Sequence, residues 1–172
     1  MDLKWLVKSS LLVIMLVLIV SGCSISKEDA QQFASNSFAS KLEQEAKSAT
    51  HELDDISLYI PSYTTVEEID EFNVLLERSN HILLLFLNDI VENKTKEGIL
   101  ETLLIEDDPF IFESGETTEG NLAYLVVTEL EEDMYSVIVG YNGYKITTLS
   151  SLSDMNNISE MMFDIVRSIE EK

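Results

Sequence analysis

The spacing of apolar and polar positions changes character several times along this chain. Between Ser24 and about Ile56 the apolar residues are Ala30, Phe33, Ala34, Phe38, Leu42, Ala46, Ala49, Leu53 and Ile56. Steps of three and four place them on one helical stripe. Ser26 is a candidate N-cap, with Asp29 an imperfect capping-box partner. Alanine thins the stripe, so the helix is expected to pack shallowly on the rest of the protein; a free stalk is the second reading.

From Ser57 the period shortens. Ser57 to Ile60 reads as a short strand stopped by Pro61. Asn73–Glu77 and His81–Asn88 flank Ser79-Asn80, and the second run is apolar enough for a strand buried on both faces, giving a hairpin. A helix competes over 65–78: Thr65 and Glu68 make a capping box, and Val66, Ile69, Phe72 and Leu76 recur at helical spacing. Thr95–Ile105 predicts a helix capped by Thr95, with Ile99, Leu100, Leu103 and Leu104 on one face and Pro109 marking its end.

Phe110–Phe112 predicts a short strand, and Ser114–Asn121 a polar loop. Leu122–Leu130 and Met134–Tyr141 are the clearest strands, joined by Glu131-Glu132-Asp133. Asn142-Gly143 is a strong hairpin signal leading into Lys145–Leu149. Ser153 or Asp154 then opens a closing helix, with Ile158, Met161, Met162, Ile165, Val166 and Ile169 as its apolar face. The fold class this predicts is α+β: an N-terminal helix, then a mainly antiparallel sheet with helices on one face. Segments 57–105 and 110–172 echo each other as two β-hairpin–helix halves of a single domain spanning 57–172.

The first residues follow a different logic. Leu11 to Val20 is an unbroken run of ten apolar residues, preceded by Lys4 and Lys8 and closed by Val20-Ser21-Gly22-Cys23, whose cysteine is the only one in the chain. A basic start, a short apolar stretch and small residues before a cut describe a secretory signal. The run is too short for a membrane-spanning helix, which needs about 18 to 20 apolar residues. Val20–Cys23 resembles the lipobox of bacterial lipoproteins. That resemblance implies a signal peptide over residues 1–22, cleavage between Gly22 and Cys23, and a diacylglyceryl group on the Cys23 thiol. It also implies a location on the outer, extracytoplasmic face of the cell membrane, with 23–56 as lipidated N-terminus and amphipathic helix or tether. Two acyl chains hold firmly where one binds marginally, each buried methylene contributing about 0.8 kcal/mol.

Charge narrows the choice of partners. The chain has 11 Lys and Arg against 32 Asp and Glu; without Lys4, Lys8 and Asp2 the remainder carries 9 against 31, a formal charge of −22. Such a surface repels nucleic-acid phosphates and anionic headgroups alike, so the acyl group must hold the membrane unaided. Glu97 to Tyr144 contains twelve acids and no Lys or Arg. Solvation explains this most simply, and attraction of a basic protein or peptide is the alternative. Neither Glu106-Asp107-Asp108 nor Glu131-Glu132-Asp133 has EF-hand spacing.

Candidate chemistry is sparse. His51 and His81 lack metal-ligand spacing and read as surface or edge residues. Phe112–Glu116 lacks the first glycine of a serine-hydrolase elbow, and the glycines do not cluster as a phosphate loop would. Tyr124, Tyr135, Tyr141 and Tyr144 read as sheet packing, and Met161 and Met162 as core filling. No catalytic, metal or cofactor residue is assigned. The functional expectation is a non-catalytic binding or accessory module at the cell envelope. The alternatives are a small envelope enzyme, a ligand-binding lipoprotein or an electrostatic trap for cationic peptides.

Overall fold

The computed structural model describes residues 25–88, 94–131 and 133–172. Helix α1, Lys27–Glu43, begins where Ser26 Oγ accepts the Asp29 N–H at 3.1 Å, with acids in its first turn and Lys41 in its last. The helical stripe expected to run to Ile56 stops at Glu43. Beyond Leu42 its next apolar positions, Ala46 and Ala49, are exposed and supply no burial to extend it. Leu53 and Ile56 still reach the core, carried by a small antiparallel sheet of β1 (His51–Glu52), β2 (Ile56–Leu58) and β10 (Glu170–Glu171).

The main sheet has seven strands. They are β3 (Thr65–Asp70), β4 (Asn73–Arg78), β5 (His81–Phe86), β6 (Ile111–Glu116), β7 (Leu122–Glu129), β8 (Met134–Tyr141) and β9 (Tyr144–Ser151). Their spatial order is β3-β4-β5-β9-β8-β7-β6, antiparallel throughout. Thus 65–78 is a hairpin, and the helical spacing of Val66, Ile69, Phe72 and Leu76 is incidental. Two meanders, β3–β5 and β6–β9, meet where Leu84 pairs with Thr147. The strand expected at 110–112 continues through the anticipated loop to Glu116, because β7 offers partners down to Leu122. Asn142 and Gly143 both have positive φ, as a tight hairpin turn requires.

Alternation along the strands divides the sheet into two faces. Val74, Leu76, Leu83, Leu85, Leu125, Val127, Val137, Val139 and Ile146 point inward to one core with α1 and with α3, Met155–Arg167. Phe38 of α1 meets Phe163 of α3 edge-on at 5.6 Å, so α1 lies inside the domain and does not stand free as a stalk. The fold is α+β, with both long helices on one face as the sequence implied.

The short helix α2, Lys96–Thr102, departs from that arrangement and covers the opposite face. Its Ile99 packs on Tyr124 and Val126, which alternate outward from the main core. Thr95 caps it, Oγ1 accepting the Gly98 N–H at 3.2 Å. It ends before Pro109 because Leu104 turns to φ 57° while Ile105 N–H bonds back to Leu100 at 2.9 Å, a Schellman closure. Leu104, expected on the buried face, is consequently 88% exposed. Tyr124 lies over Gly140 on the paired strand: a Cβ there would come 2.0 Å from the Tyr124 ring.

Candidate functional site

A hollow of about 420 Å³ lies between the β4–β5 turn and α3. Arg78 and His81 are paired across that turn and sit on the same alternation as Leu76 and Leu83. They therefore extend the inner face beyond the end of the apolar core. Tyr59 and Pro61 close one side, Lys47 lies above, and α3 contributes Asp154, Asn157, Ile158, Glu160, Met161 and Asp164. Those α3 residues recur every three or four positions, so one helical stripe faces the opening.

The polar groups here are partly committed to one another. Asp164 takes Lys41 at 2.6 Å and Lys47 at 2.8 Å, and its hydrogen bond holds the Lys47 ammonium above the usual lysine value of 10.5. Lys47 also sits 4.5 Å over the Tyr59 ring. Glu160 Oε1 accepts from Ser37 at 2.7 Å and Asn156 at 2.9 Å. Arg78 donates to the Ser62 carbonyl, and His81 Nδ1 lies 3.3 Å from the Leu149 carbonyl. Arg78 makes no salt bridge among the described residues, whereas Lys27, Lys41, Lys47, Lys96, Arg167 and Lys172 each have a carboxylate partner.

Just behind the groove, Arg167 ties three elements together. Its side chain is 2% exposed; Nη1 donates to the Lys41 carbonyl at 2.7 Å, and Nη2 reaches Glu119 at 2.8 and 2.9 Å and Thr118 at 3.2 Å. The guanidinium holds the Glu119 carboxyl down at about 2.

No protein-family model and no curated protein matches this chain.

The residues singled out from sequence fare differently. Cys23 and Gly22 lie outside the described residues. His51 is exposed, while His81 belongs to the groove wall. Tyr124, Tyr135 and Tyr141 are buried packing residues; Met162 is core, and Met161 borders the groove. Among the described residues no group of three or more His, Cys, Asp or Glu is placed to hold a metal ion. Asp108 pairs with Lys96 at 3.2 Å. A second hollow of about 270 Å³ gathers Asp54, Asp55, Glu68, Asp70 and Glu71. There Asp70 is occupied by the Phe72 N–H and the Asn73 amide, which hold its carboxyl below the usual range.

Sequence reasoning missed the groove. Its one legible sign was the Ser79-Asn80 turn, which sets Arg78 opposite His81. The match of that pair to α3 depends on long-range packing. Among the described residues nothing covers the outer face of β4, β5 and β9: Ile82 and Leu149 are exposed beside half-buried Leu75, Leu84 and Phe86.

Proposed function

We propose that the protein is a lipoprotein held through diacylglyceryl-modified Cys23 on the outer face of a cell membrane, acting as a non-catalytic binding module of the envelope. The observation that carries this reading is the tetrapeptide Val20-Ser21-Gly22-Cys23 after the ten-residue apolar run. Among the described residues no helix is long and apolar enough to cross a membrane, which is compatible with a lipid tether. Four residue steps separate Cys23 from the first residue of α1, a reach of about 14 Å when fully extended. Since α1 is part of the core, such a tether holds the domain close to the headgroups. The end of α1 carrying the Lys27–Glu129 pair is then nearest the bilayer. Among the described residues, the outer face of β4, β5 and β9 and the groove are surfaces available to a partner.

Replacing Cys23 by Ser and fractionating the cells tests the anchor. The expected outcome is unprocessed precursor or protein shed into the medium. Normal maturation with tight membrane retention would overturn the proposal.

A further inference from the structure

A half-buried arginine with no carboxylate partner among the described residues is conspicuous in a chain with 32 acids and 11 bases. Arg78 spends one nitrogen, Nη1, on the Ser62 carbonyl and lines the groove. Guanidinium donors match a carboxylate in two parallel hydrogen bonds. His81, beside it across the turn, donates Nδ1–H to the Leu149 carbonyl at 3.3 Å, so its Nε2 can donate to a carboxylate only in the imidazolium form. This end of the groove therefore suits a single carboxylate.

The opposite wall has the reverse character. Two lysines already neutralise Asp164, but among the described residues Glu160 and Asp154 receive only neutral hydrogen-bond donors, from Ser37, Asn156 and Ser151. Their charge is left for a cation. A phosphate dianion seated on Arg78 would share the groove with these acids, whereas a monoanion carrying its own ammonium would satisfy both walls. Between them Ile158 and Met161 supply an apolar floor, and methionine adapts to varied shapes. The volume of about 420 Å³ falls in the range of small-molecule sites and exceeds what one amino acid fills.

We propose that this groove binds short zwitterionic peptides, with the C-terminal carboxylate on Arg78, joined by His81 in its imidazolium form, and the amino group toward Asp154 and Glu160. The assignment rests on the groove alone and holds whether or not Cys23 carries lipid.

The test is calorimetric titration of the full chain in detergent with the tripeptide Leu-Ala-Ala. Forms with free ends, an amidated C-terminus and an acetylated N-terminus are compared. Free tripeptide is expected to bind, and either blocked form to bind at least about tenfold more weakly. Arg78→Gln should abolish the preference for free acid over amide while keeping the preference for a free amine. Glu160→Gln combined with Asp154→Asn should do the reverse. Free leucine serves as the amino-acid probe and should bind more weakly than the tripeptide. Equal affinity for all three peptide forms would overturn the proposal, as would tighter binding of leucine or no heat at about 10 mM peptide. Because the block comparison uses unmodified protein, a variant that fails to fold does not rescue the idea.

Discussion

Glu119→Gln isolates the contact that joins the β6–β7 loop to the ends of α1 and α3. In the folded protein the Glu119 carboxyl titrates at about 2 instead of 4.5, chiefly because Arg167 hydrogen-bonds it. Its folded value is depressed, so its contribution to stability is fully present above about 4.5. It declines as pH falls from 4.5 through about 2, and is absent below. At 1.36 kcal/mol per unit the shift sets a ceiling of about 3.4 kcal/mol. The Glu119 side chain is 44% exposed, and solvent screening reduces that ceiling to about 1 kcal/mol. For a domain of this size, the variant should melt about 3 °C lower at pH 7. Urea midpoints followed by circular dichroism at pH 7, 4 and 2.5 measure the change. The gap between parent and variant should narrow across that series. An unchanged gap from pH 7 to 2.5, or none at pH 7, would refute the role given to this ion pair.

Four other substitutions address packing. Gly140→Ala should cost about 1–3 kcal/mol in urea unfolding, since the added carbon meets Tyr124 at 2.0 Å; most of that cost should vanish in a Tyr124→Ala background. Phe38→Ala should cost about 3–5 kcal/mol by the same assay, because the ring is buried against Phe163; a negligible change would mean α1 is peripheral. Thermal melts should separate the faces of β5. Leu83→Ala, fully buried, should lose about 2–5 kcal/mol, while Ile82→Lys on the exposed outer face should stay within about 0.5 kcal/mol.

Local signals explain why much of this fold is legible in the sequence. Ser26 and Thr95 stand at helix starts and cap them with their side chains, and Asn142-Gly143 turns the β8–β9 hairpin. Where several patterns coexist, local reasoning divides. Val66, Ile69, Phe72 and Leu76 satisfy a helical period, yet β5 gives β4 a partner along its whole length, and sheet pairing wins. The length of α1 was overestimated because alanine continues a helical stripe on paper without supplying buried area. The side of the sheet taken by α2 depends on which strand residues alternate outward, a consequence of register across the whole sheet. The groove was hidden for the same reason: Arg78 and Asp154 are 76 positions apart and meet only after β5 pairs with β9.

The anchoring proposal comes down to one covalent bond at the start of the mature chain. Mass spectrometry of the N-terminal peptide from protein purified out of its own membranes reads that bond directly. The expected species begins at Cys23 and carries a thioether-linked diacylglyceryl group. A peptide with residues 1–22 still attached, or with a free thiol at Cys23, would contradict it.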